Sequence, residues 1–188
     1  YSLFTGASYD MALISLKDPF LNVEPLNMKT ELPNINSEVF ISGYGLHGTG
    51  SLPDQEFDGK KRWGKNILSI ISLESSINGP SISNTPDKII LGFYFDQNFD
   101  SNESMISLGD SGSPLLLKEN DNYLVAGIAS WIKKDIVTQN RGYGSSAGFS
   151  SVQQNLDWIM ENNPLRKISS LSDGSWNDQN NWNDSSYP

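Results

Sequence analysis

Ser111 lies in the run Gly109-Asp110-Ser111-Gly112-Ser113-Pro114, directly before the apolar segment Leu115-Leu116-Leu117. A serine held between glycines at a tight turn, just ahead of a buried strand, presents an exposed hydroxyl beside free backbone N–H groups. Small neighbours let a substrate carbonyl approach the main chain. Two N–H groups converging on one point make an oxyanion hole, usually the largest electrostatic contribution to acyl transfer. The hydroxyl itself is a weak nucleophile at neutral pH and needs a base within hydrogen-bond reach. Near the start, Tyr9-Asp10 precedes Met11-Ala12-Leu13-Ile14-Ser15-Leu16, an acid followed by a mostly apolar strand. A carboxylate buried at such a strand end can hold an imidazole in one tautomer and stabilise the imidazolium. Taken singly, a serine in a glycine turn is only a turn residue.

Five segments in one order add to this. Asp10 with its strand resembles the "D-I-A-L-L" acid of the chymotrypsin-like (trypsin-fold) serine peptidases. Gly43-Tyr44-Gly45 resembles their "G-W-G" turn and Ser111 the nucleophile of "G-D-S-G-G-P". Ser130-Trp131 resembles the "S-W-G" strand beside the substrate, with Ile132 in place of the glycine. Asp157-Trp158-Ile159 resembles their closing helix. The resemblance runs along most of residues 9–162. It implies Ser111 as nucleophile, Asp10 as triad acid, and the N–H groups of Gly109 and Ser111 as oxyanion donors. Asp110 is implied as the acid ordering that loop, which in many relatives pairs with a freed N-terminal amine. Counting back from Ser111, the floor of the specificity pocket falls on Met105, with Ile106 beside it. An apolar or small residue is therefore expected at the cleavage site, although Asp100 and Glu103 lie nearby. Ser130, Trp131 and Ile132 are expected to form an edge on which a peptide adds as a strand, and an ordinary core role for Trp131 is the alternative.

The base is missing. In this family the histidine precedes the acid, but only nine residues precede Asp10 and none is His. The sole histidine, His47, sits in the glycine-rich run of residues 43–50 and is expected to be a solvated loop residue. A relocated base is the other reading, since triads are defined by geometry and not by chain order. The chain is therefore expected to be a C-terminal piece. Its catalytic histidine and most strands of a first barrel would belong to a preceding segment, held as a second chain if the precursor is cleaved.

Composition narrows the partners. The 188 residues carry a net charge of -9, which argues against nucleic acid or an anionic membrane. There are no cysteines, so neither the family's usual disulfides nor a thiol metal site can form. No cofactor and no metal are expected: Asp173, Asp178 and Asp184 lack EF-hand spacing. No apolar run is long enough to span a bilayer. The resemblance implies a secreted or cell-surface protein of the cysteine-free bacterial kind.

The expected fold is all-β: a trypsin-like double β-barrel with the second barrel complete, the first only partly present, and one C-terminal helix. Residues 1–34 read as the first-barrel remnant and linker, 35–163 as the second barrel and helix, and 164–188 as a linker or the start of a downstream repeat region. Strands are expected at 11–16, 38–42, 67–73, 89–95, 115–117, 123–131 and 148–152, with an extended piece at 23–26. Residues 46–62 and 96–108 read as loops. Val152, Leu156 and Ile159 recur at helical spacing behind Ser150 or Ser151 as cap. In the tail, Trp176 and Trp182 are six apart and would share one face of a strand. Gly174-Ser175-Trp176 to Asn181-Trp182 resembles the start of β-solenoid passenger repeats in bacterial autotransporters, with Pro188 at its edge. The alternative is a linker whose tryptophans find a groove on the barrel. Lys60-Lys61-Arg62-Trp63 is the only dense basic patch; it reads as a solvated loop, with an exosite for an acidic substrate or a processing site as alternatives. The competing function is a peptide-binding module of the same fold without turnover (a pseudoprotease).

Overall fold

The apolar runs become strands of a closed barrel. The computed structural model describes residues 2–6, 10–18, 20–78, 87–97, 103–163, 170–171, 173–175 and 178–182. Asp100, Trp176, Asp184 and Pro188, each given a place above, lie outside them. The elements are β1 (Ser2–Gly6), β2 (Met11–Ser15), β3 (Asn27–Met28), β4 (Glu38–Gly43), β5 (Arg62–Ile67), β6 (Ile70–Leu73), α1 (Glu74–Asn78), β7 (Ile89–Tyr94), β8 (Pro114–Glu119), β9 (Asn122–Lys133), β10 (Ser146–Ser151) and α2 (Leu156–Asn162).

Antiparallel pairing runs β5-β4-β8-β9-β10-β7-β6. The two ends of that path are halves of one strand, bent at Leu68-Ser69. At the corner the Leu68 N–H donates to Ser37 O (2.9 Å) and the Ser69 N–H to Gly92 O (3.0 Å). The bent strand therefore closes the ring of pairings around the barrel. Its interior is filled by Val39, Leu68, Leu91, Phe93, Leu115 and Phe149, all fully buried. Each such side chain contributes about 1.5–3 kcal/mol by leaving water.

β1 and β2 form a separate two-stranded hairpin, Gly6 opposite Met11. Met11 buries itself with Val152 and Ile159, beside Leu13, Val125 and Trp158. This second cluster fastens the hairpin and α2 to the outside of the barrel, and β3 adds to it by pairing in parallel with β9. The hairpin is thus anchored at its end nearest Asp10. Further along the chain Phe20, Leu21 and Val23 are exposed.

Three expectations need correction. β5 begins at Arg62, the last residue of the expected 46–62 loop, and runs through residues 63–66, where no strand was expected, to Ile67 at the start of the expected 67–73 strand. Its sequence is polar because Asn66 is buried by donating to Tyr94 O (3.0 Å) and Ser104 O (3.1 Å), not by being apolar. The extended piece expected at 23–26 pairs one step later, at β3. A second short helix, α1, is present; the Ser75 N–H at its start donates to Asp87 Oδ1 at 3.0 Å, a partner 12 residues away that local sequence does not announce. The C-terminal helix begins as a 3₁₀ turn at Gln153–Asn155, where Ser151 Oγ accepts from the Gln154 N–H at 3.3 Å, so the cap is Ser151. In the tail, Ser170 bridges Trp182 and the Leu171 N–H donates to Asn181 O at 2.7 Å, closing that stretch on itself.

Candidate active site

The residues 107–113 form two linked turns. The Asp110 N–H donates to Ser107 O (3.1 Å) and the Ser113 N–H to Asp110 O (2.9 Å). The Gly112 N–H donates to Ala129 O (3.0 Å), and Ser113 O accepts from the Ala129 N–H (2.8 Å). Those bonds tie the end of the turn to β9. Among the described residues the N–H groups of Gly109 and Ser111 make no hydrogen bond, although those of Asp110, Gly112 and Ser113 all do. Ser111 is exposed. The result is a hydroxyl open to solvent with two unbonded amide donors at alternate positions beside it.

Glycine is required at two points of this construction. Gly109 has φ of +94°, and a Cβ there would lie 3.1 Å from Gly45 Cα. At Gly43 a Cβ would fall onto Asp110 Oδ1. The Asp110 carboxylate fills that space because Oδ1 accepts from the Gly45 N–H and Oδ2 from the Ser107 N–H, each at 2.8 Å. The Gly43-Tyr44-Gly45 turn is therefore the socket of the acid that precedes the serine. Gly43→Ala is expected to force Asp110 out of this socket, at a cost of about 1–3 kcal/mol for overpacking. Thermal unfolding of the variant checks this, and an unchanged Tm would contradict the socket.

Asp10 is anchored on the residue of β9 that follows Ala129. Its Oδ2 accepts from Ser130 Oγ at 2.5 Å, across 120 residues of sequence. A bulge does this: Gly148 faces Trp131 and Phe149 faces Ala129, so Ser130 is the extra residue and its side chain is re-aimed. Ala129 clamps the serine turn and Ser130 holds the acid, so consecutive residues of β9 anchor both. The expectation of a buried carboxylate is not met. Asp10 is exposed, at φ of +45° in the turn before β2, with the β1–β2 hairpin behind it.

Beyond Ala129, β9 pairs with β10 on one side only, since β8 ends at Pro114 opposite Ile128. Residues 130–133 thus have an open edge among the described residues. Trp131 is half-buried, and its indole occupies the space a Cβ at Gly148 would take. Met105 and Ile106 lie elsewhere. Ile106 belongs to the barrel core, with Met105 packed against it. Both line a cavity of about 400 Å³ whose wall includes Gly43, Gly45, Asp54, Ser107, Asp110 and Arg141, but not Ser111, Asp10 or Ser130. The expected substrate residues therefore divide into an open strand edge and a cavity behind the serine turn.

His47 lines that cavity and not the strand edge. Its Nδ1 is 3.0 Å from the Glu56 carbonyl, and its Nε2 is 3.7 Å from the Glu56 carboxylate. The Lys60-Lys61-Arg62 patch is partly neutralised by Asp58, which accepts from both terminal nitrogens of Arg62 at 2.8 Å. That bond holds the Asp58 carboxyl well below the ordinary carboxylate range. Among the described residues no group of three or more His, Asp or Glu could hold a metal ion. No helix among them is long and apolar enough to cross a membrane.

One acid of the cavity was not foreseen. Asp54 is mostly buried; burial pushes its carboxyl up, but the Ser107 hydroxyl, the Arg141 guanidinium and the Leu108 amide outweigh this and hold it below the ordinary value. A carboxyl lowered on folding contributes stability above its unfolded pKa and loses it as pH falls through the folded one. The stability advantage of the wild type over Asp54→Asn is therefore expected at pH 6 and should shrink below about pH 4. Urea unfolding of both proteins at several pH values checks this; a gap that widens in acid would contradict it.

No curated protein gives a significant match to the chain. A family model does: Trypsin matches residues 1–159. With a closed antiparallel barrel, a serine on a glycine turn and an N-terminal hairpin ahead of it, this all-β chain belongs to the trypsin family of serine peptidases.

Proposed function

We propose that the chain carries the nucleophile and acid of a serine endopeptidase, with the catalytic histidine supplied by a segment outside these 188 residues. The observation that carries the reading is the anchoring of both groups on neighbouring residues of β9: Asp10 on Ser130, and the Ser111 turn on Ala129. Ser111 Oγ attacks the scissile carbonyl and the N–H groups of Gly109 and Ser111 receive the developing oxyanion. The borrowed imidazole takes the hydroxyl proton and returns it to the leaving amine, and Asp10 steadies the imidazolium. The substrate extends along Ser130, Trp131 and Ile132 as an added strand. The resemblance, which puts the uncharged Met105 at the floor of the specificity pocket, supports cleavage after an apolar or small residue, although the cavity that Met105 and Ile106 line does not include Ser111. A preceding segment would complete the first barrel over the hairpin, which pairs only with itself among the described residues, and over exposed Phe20, Leu21 and Val23. A secreted or surface setting, a bacterial source and a repeat region after the tail belong to the same proposal, supported by the family's habit and the tail's resemblance alone.

Digestion of a peptide library by the full-length protein tests this. Cuts after apolar or small residues support it; cuts confined to Lys or Arg would reject the specificity. The second reading, a peptide-binding module without turnover, is favoured by the engagement of His47 with Glu56. Saturable peptide binding by the full-length protein with no cleavage would establish that reading instead.

A further inference from the structure

Asp54 stands in the 46–57 loop at φ of +54°, a left-handed conformation that Asp tolerates better than most residues. Strain of this kind persists where the surroundings over-determine it. Here they do. Asp54 Oδ1 accepts from Ser107 Oγ at 2.5 Å, and Oδ2 accepts from Arg141 Nη1 at 2.9 Å. The Leu108 N–H adds to the same carboxylate. Arg141 is held in turn by the close approach of two loops: the Tyr143 N–H donates to Gly50 O at 3.0 Å, and there is no room for a side chain at Gly142 against that carbonyl. Ser107 passes the constraint on, since its N–H and its carbonyl both bond to Asp110.

We propose that Asp54, fixed by Arg141, is a positioning residue for the Gly109–Ser111 turn. The link runs Arg141–Asp54–Ser107–Asp110 and joins two surface loops, 46–57 and 134–144, to the segment that presents the amide donors. Asp54 and Arg141 themselves make no hydrogen bond to Ser111. The effect of the link is to limit the backbone freedom of residues 107–110, so that the Gly109 amide stays where an oxyanion forms. The catalytic part of this rests on Ser111 as nucleophile; the mechanical part does not.

Hydrogen exchange and steady-state kinetics on the full-length protein test it, with the variants Asp54→Ala, Asp54→Asn, Ser107→Ala and the double variant Asp54→Ala/Ser107→Ala. Asp54→Ala is expected to lower kcat by about tenfold or more with KM little changed, because small misplacements of a catalytic group are costly. Amide exchange should speed up in residues 105–113 while β8 and β9 stay protected. Asp54→Asn can still accept from Arg141 and pair with Ser107, so it should recover most of the loss. The double variant should be no worse than Asp54→Ala, since both changes cut one link. Unchanged exchange in 105–113, or a double variant whose losses multiply, would overturn the proposal. Should Asp54→Ala fail to fold, Ser107→Ala alone decides: faster local exchange supports the link and unchanged exchange rejects it. A wild type that hydrolyses nothing would sink the peptidase reading, while the exchange results would still decide the coupling.

Discussion

Ser111→Ala in the full-length protein is expected to lower kcat for peptide hydrolysis by about 10⁴-fold or more, because the members of a nucleophile–base unit fail together when one is removed. The residual rate would come from the oxyanion donors and substrate binding alone. Folding should be almost untouched. The serine is exposed, so removing its hydroxyl changes stability by less than about 0.5 kcal/mol. Peptide affinity should also survive, since the open edge at residues 130–133 does not depend on the hydroxyl. Steady-state kinetics beside thermal unfolding and peptide titration separate these effects. A variant that keeps near wild-type kcat would remove Ser111 from the chemistry.

Asp10→Asn is expected to cost about 10⁴-fold in kcat with the geometry retained, the size seen when the equivalent carboxylate of a triad becomes an amide. Asparagine accepts the left-handed φ of this turn as readily as aspartate. Its carbonyl oxygen can still accept from Ser130 Oγ, so the anchor on β9 remains. What is lost is an acceptor on both sides: the amide nitrogen presents a donor where the imidazole must donate, and the imidazolium loses its counter-charge. Asp10→Asn should therefore damage kcat far more than KM or Tm. Equal losses in all three would mean that Asp10 acts through folding.

The candidate site residues stood out in the sequence because they are packed into short runs. The glycine turn around Ser111, the acid ahead of β2 and the Gly43-Tyr44-Gly45 turn each announce themselves within a few residues. The barrel strands were equally plain where β-branched and aromatic residues cluster, as in β7. β5 was not, because Asn66 satisfies its burial with hydrogen bonds to Tyr94 and Ser104. The exposure of Asp10 was also hidden, since an acid ahead of an apolar strand reads the same whether or not another layer covers it. Asp54 and Arg141 left no local signal at all. They are 87 residues apart, each sits in a polar loop, and only the closed barrel brings them to Ser107.

The central claim is that the Ser111 hydroxyl is an activated nucleophile in the intact protein. Treatment of the full-length protein with a fluorophosphonate, followed by mass mapping of the adduct, tests it most directly. A single phosphonylated residue at Ser111, lost on heat denaturation before labelling, is the predicted result. A correctly folded protein that stays unlabelled, or that is labelled at another serine, would contradict it.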